Sequence, residues 1–167
     1  MKTILLIEDT IDFLENLTEC LEMEDYKILP ANNGKRGIEL ARKFIPDLII
    51  CDIIMPEMDG YEVLHLILDM SETYEIPFIF STSMSEKVDL TEAARLGADD
   101  YIVKPFDMEL LLTMAKTWIQ SGSKRHRNPA RETERLTQHH YLQHGDGMLL
   151  ATKCIFNNKT KISIGTG

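Results

Sequence analysis

At 167 residues the chain has room for one ordinary domain and an appendage, which argues against a multi-domain enzyme. Its 44% hydrophobic and 27% charged content excludes a globally disordered, collagen-like or mucin-like polymer. The formal charge of −9 is unevenly spread: residues 1–123 hold 24 acidic against 10 basic side chains, a balance of −14, and residues 124–167 hold 3 against 8, a balance of +5.

In chain order, the first signal is the apolar run Ile4-Leu5-Leu6-Ile7, too short and too continuous for a helix and typical of a strand buried on both faces. Ile11, Leu14, Leu17 and Leu21 follow at helical spacing. A weaker strand, Tyr26 to Leu29, precedes the turn Asn32-Asn33-Gly34 and a second helix marked by Ile38, Ala41 and Ile45. Leu48-Ile49-Ile50-Cys51 is the third strand, and Asp59-Gly60 opens a third helix through Val63, Leu64, Ile67 and Leu68. Phe78-Ile79-Phe80 is the fourth strand. A fourth helix through Val88, Leu90 and Ala94 ends near Gly97, before a fifth strand at Tyr101-Ile102-Val103. Leu110, Leu111, Met114 and Trp118 mark the fifth helix. Strict alternation of strand and helix predicts an α/β fold: a doubly wound, five-stranded parallel sheet flanked by five helices, with a short C-terminal extension.

Open sheets of this kind place their sites at the carboxyl ends of the strands. Those positions hold Glu8 and Asp9, Asp52, Thr82 and Lys104. Taken singly, Asp52 reads equally well as a loop cap and Glu8-Asp9 as a helix cap. Taken together, three converging carboxylates repel one another unless a cation neutralises them. A hard divalent ion with oxygen ligands, Mg²⁺ or Mn²⁺, resolves that repulsion, and Lys104 adds a second positive partner. A carboxylate oxygen flanked by such an ion and an ammonium is placed to attack a phosphoryl group, with the Thr82 hydroxyl donating to a phosphoryl oxygen and an aspartyl phosphate as product.

The run Ile4 to Asp9, the segment Pro46 to Gly60, then Pro77 to Thr82, Gly97 to Tyr101 and Lys104-Pro105-Phe106 together resemble the receiver domain of two-component response regulators, a flavodoxin-like fold. The resemblance covers residues 1–121 and leaves 122–167 as a linker with a partial or unassigned extension. It implies that Asp52 is the phosphoacceptor, that Glu8, Asp9, Asp52 and the backbone carbonyl of Ile54 hold the metal, and that Lys104 contacts the phosphoryl group and precedes a cis bond to Pro105. It implies that Thr82 and Tyr101 form a switch, the ring turning inward as the hydroxyl moves to the phosphoryl group. The implied partners are a sensor histidine kinase or phosphotransfer protein, and a second copy on phosphorylation through the face between the fourth and fifth helices.

Three positions depart from the commonest pattern of that family. Glu8-Asp9 stands where a pair of aspartates is frequent. Ile54 places an apolar side chain two residues after Asp52, and Ser83 follows Thr82 where Ala or Gly is usual; both predict poorer access of water and a longer-lived phosphoryl group. An aspartate-nucleophile phosphatase of the haloacid dehalogenase type is the rival reading, but it wants an acid where Ile54 stands. A flavodoxin-like cofactor binder lacks a phosphate-cradling loop after the first strand, where Glu8-Asp9 repels phosphate.

From Gln120 onward the chain turns polar and then basic at Lys124-Arg125-His126-Arg127. Residues 148–164 read as a hairpin. The segment Arg131 to Leu136 resembles the opening of a LuxR-type DNA-binding domain, without the helices that should follow. His126, His139, His140 and His144 lack accompanying ligands at metal spacing. The basic run, without interleaved aromatics, reads as a solvated linker rather than as a nucleic-acid surface; any nucleic acid binding would fall to the extension alone, and the output is either DNA-binding transcription control or protein–protein signalling. Three cysteines, Cys20, Cys51 and Cys154, in no paired spacing imply neither a disulfide framework nor zinc, and with no signal peptide or membrane span the expected location is the cytoplasm.

Overall fold

The computed structural model describes residues 1–83 and 96–122. The elements run β1 (Thr3–Ile7), α1 (Ile11–Glu22), β2 (Lys27–Ala31), α2 (Gly34–Phe44), β3 (Leu48–Asp52), α3 (Gly60–Asp69), β4 (Phe78–Ser83), β5 (Asp100–Lys104) and α4 (Met108–Ser121). The predicted helix at Val88, Leu90 and Ala94 lies outside the described residues, as do the basic run after Ser123, the four clustered histidines and the predicted hairpin.

The five strands form one parallel sheet in the order β2-β1-β3-β4-β5. Central β3 is buried along all five residues, as its uninterrupted apolar run requires, whereas edge strand β2 tolerates Pro30. Alternation of side chains divides the core in two. Ile4, Leu6, Ile50, Ile79 and Ile102 meet Leu14, Leu17 and Leu21 of α1 and Leu111 and Ala115 of α4. On the other face Leu5, Ile7, Ile49, Cys51, Phe78 and Phe80 meet α2 and α3.

Helix starts follow local chemistry. Asn33 accepts from Arg36 N–H at the head of α2, and Asp59 and Glu62 form a reciprocal capping box at the head of α3. Asp107 accepts from Glu109 N–H to begin α4. Gly60 answers a steric demand: a Cβ there would lie 2.4 Å from the carbonyl oxygen of Asp52, so α3 starts directly against the backbone of β3. Among the described residues no helix is long and apolar enough to cross a membrane.

Several details differ from the sequence expectation. Strand β4 runs on through Ser83 rather than stopping at Phe80, because the ladder to β5 pairs Ser81 with Ile102 and Thr82 with Val103. Asp52 and Lys104 are the last residues of their strands rather than the first beyond them. Ile45 leaves the helical series as the left-handed C-cap of α2, and Leu110 turns outward, half exposed, while Leu111 and Ala115 face the core.

Candidate functional site

Leu6, Ile50 and Ile102 point into the layer of α1 and α4, so two residues further along their strands Glu8, Asp52 and Lys104 share that face at the carboxyl edge of the sheet. Lys104 reaches from β5 across β4 to β3 and β1: its Nζ donates to Asp52 Oδ2 at 2.8 Å and to Glu8 Oε2 at 2.6 Å. Both carboxylates are buried, and the Lys104 side chain is 19% exposed. The second oxygen of Glu8, Oε1, accepts from the Thr10 N–H at 3.2 Å. The second oxygen of Asp52 is buried with no hydrogen-bond partner among the described residues.

Burial pushes the Glu8 carboxyl up from its ordinary range; the Lys104 hydrogen bond opposes this and the charge of Asp52 reinforces it, and the net direction is up. Burial alone would lower the Lys104 ammonium, but its bonds to Asp52 and Glu8 outweigh that and hold it above the usual lysine value. Burial drives the Cys51 thiol well upward, with Asp52 and Glu8 adding to the effect, so it stays a protonated core residue.

Ligand oxygens of Glu8, Asp9 and Asp52 lie within 4.8 Å of one another. Three carboxylates against one ammonium leave the cluster net negative. An all-oxygen donor set of this charge fits a hard divalent cation. The sequence-predicted residues Glu8, Asp9, Asp52 and Lys104 are thus brought together.

Thr82 is buried, with Oγ1 donating to the Ser83 carbonyl at 3.4 Å, while the β4 residue in register with Asp52 is Ser81. Tyr101 is 40% exposed. Ile54 follows in the β3–α3 loop with its side chain 57% exposed, and the Lys104–Pro105 peptide is cis. Two neighbours of the site carry no signal of their own in the sequence. Ser81 is buried in register with Asp52 with no partner for its hydroxyl among the described residues, and Phe13 of α1 packs under the Lys104 ammonium.

A family model described as the response regulator receiver domain matches residues 4–116. The chain is 37% identical over 112 residues to the protein PilH of Pseudomonas aeruginosa, covering 67% of this chain and 93% of that one. Longer curated relatives are covered over only 8, 27 and 58% of their own length. Among solved structures, the signal receiver domain of a signal transduction histidine kinase from Syntrophus aciditrophicus is similar with a TM-score of 0.67 and 32% identity, covering 77% of this chain and 96% of that one. The receiver domain of the sensor histidine kinase PA1611 from Pseudomonas aeruginosa, whose active-site cleft coordinates a magnesium ion, is similar with a TM-score of 0.66 and 25% identity, covering 71% and 98%.

Proposed function

This chain belongs to the response regulator receiver domain family, and we propose that it takes a phosphoryl group from the phosphohistidine of a sensor kinase or phosphotransfer protein onto Asp52. One observation carries this reading: the Asp52 carboxylate is buried at the end of β3, held on Oδ2 by Lys104 and left without a partner on Oδ1. A carboxylate oxygen attacks phosphorus, the P–N bond breaks, and imidazole leaves with its electron pair, giving an acyl phosphate. Lys104 supplies an ammonium against the charge that spreads over the transferring oxygens. Glu8, Asp9, Asp52 and the Ile54 carbonyl would hold Mg²⁺ or Mn²⁺, which supplies further charge neutralisation for phosphoryl transfer into an acidic pocket.

In this reading the Thr82 hydroxyl then bonds a phosphoryl oxygen and the exposed Tyr101 ring turns inward behind it, changing the surface along β5 and α4 where a partner or a second copy docks. The shift is bounded by how much better the phosphoryl group suits the inward state. The chain is a phosphoacceptor that catalyses its own transfer and loss, acting in the cytoplasm. Residues 1–121 are read as the receiver and 122–167 as a linker with a partial or unassigned extension; the output is either DNA-binding transcription control or protein–protein signalling. A haloacid dehalogenase-type phosphatase is not supported, since the position two residues after Asp52 holds the exposed apolar Ile54.

Incubation with acetyl phosphate and Mg²⁺, followed by intact mass and size-exclusion chromatography, tests the reading. Wild type gains one acid-labile phosphate and Asp52→Asn gains none. A wild type that takes no phosphate contradicts it.

A further inference from the structure

Lys104 has a third neighbour besides its two carboxylates. Its Nζ stands 4.7 Å from the centroid of the Phe13 ring. Phe13 lies in the first turn of α1, half-buried against the core shared by α1 and α4. Phe106, two residues beyond Lys104, meets that ring edge-on, with centroids 5.8 Å apart and planes at 78°. A ring face attracts an ammonium through its quadrupole, most strongly where water is scarce, and here the Lys104 side chain is 19% exposed. Lysine is a compact charge on a flexible four-carbon stem, so two carboxylates alone leave it several geometries. A braced ring beneath the charge removes most of them.

We propose that Phe13 is a positioning residue: its ring face seats the Lys104 ammonium over Asp52, and Phe106 braces the ring from the side. The kinetic half of this inference rests on the reading of Asp52 as phosphoacceptor; the seating itself does not.

The test uses the full chain in three forms, wild type, Phe13→Leu and Phe13→Tyr, with two readouts. The first is the proton shift of the Lys104 ε-methylene, which a phenyl face displaces upfield. The second is the rate of phosphorylation by acetyl phosphate in Mg²⁺. Phe13→Leu, which keeps apolar bulk without a ring, returns the methylene to an ordinary lysine position and slows phosphorylation about three- to tenfold. Phe13→Tyr restores the upfield shift and most of the rate. An ε-methylene shift identical in wild type and Phe13→Leu overturns the proposal, as does a Tyr variant as slow as the Leu variant. A wild type that takes no phosphate, while its methylene shift still disappears in Phe13→Leu, upholds the seat and rejects the phosphoacceptor reading.

Discussion

Lys104, the last residue of β5, spans β4 to place its ammonium 2.8 Å from Asp52 Oδ2 at the end of β3. The same ammonium serves Glu8 at 2.6 Å, so one cation holds two buried acids from two other strands. Removing one partner of such a cluster leaves charge buried without compensation. Lys104→Met is therefore expected to lower unfolding free energy at pH 7 by about 3 kcal/mol, the low end for buried pairs because the Lys104 side chain keeps 19% of its exposure. Urea unfolding checks this, and a variant as stable as wild type would contradict it.

The unpartnered Asp52 oxygen and the clustered acids give the metal-free domain a like-charge penalty that a divalent cation relieves. Adding MgCl₂ raises the melting temperature of wild type in step with site saturation. Asp52→Asn, which removes one of the three carboxylates, melts higher than wild type without metal and gains less from it. Equal gains for both proteins would place the cation elsewhere.

Gly60 sits where a Cβ would come within 2.4 Å of the Asp52 carbonyl oxygen and 2.9 Å of Ile53 Cα. Both obstacles are backbone, so neither can swing aside. Gly60→Ala is expected to destabilise the fold by about 1–3 kcal/mol and, on the proposed role of Asp52, to slow acetyl phosphate turnover by displacing the end of β3. Thermal melts and phosphorylation rates on the same preparation report the two effects.

Ile54 is exposed, so replacing it is expected to leave stability within about 0.5 kcal/mol. If Asp52 carries the phosphoryl group as proposed, a polar side chain there would help hold a water against it. Phosphate loss in Mg²⁺ is expected to accelerate several-fold in Ile54→Asn, followed as decay of the phosphorylated mass after acetyl phosphate is removed.

Asp47 ties the start of β3 to the start of β1. Its carboxylate accepts from Thr3 N–H at 2.8 Å and from Lys2 Nζ at 2.7 Å. Partial burial alone would raise this acid, but Lys2 and the Thr3 N–H outweigh it and hold it below the usual carboxylate range. A depressed folded value means stability present above the unfolded value near pH ~4 and lost as pH falls through the folded one. Asp47→Asn should cost about 1 kcal/mol at pH 7, with the difference from wild type shrinking below pH ~4. A difference constant from pH 7 to 2 would contradict this assignment.

The fold was legible because strands buried on both faces admit almost nothing polar, so Glu8, Asp52 and Lys104 stood out as the first charged residues after apolar runs. Ser81 and Thr82 concealed the end of β4, since their burial comes from pairing between β3 and β5 and not from their own side chains. Phe13 was hidden for a related reason. It lies beside the series Ile11, Leu14, Leu17 and Leu21, and its contact with Lys104 exists only once the chain brings residue 104 to the first turn of α1. Ile45 followed helical spacing but met the point where α2 turns left-handed, at φ 45°.

The central claim, that Asp52 receives the phosphoryl group, is tested most directly by treating the phosphorylated chain with borohydride, which reduces an acyl phosphate to the alcohol, and mapping the peptides. The account predicts homoserine at position 52 and no other modified acid. Homoserine at Asp9 or Asp59, or an unmodified Asp52 in a chain that carries phosphate, would contradict it.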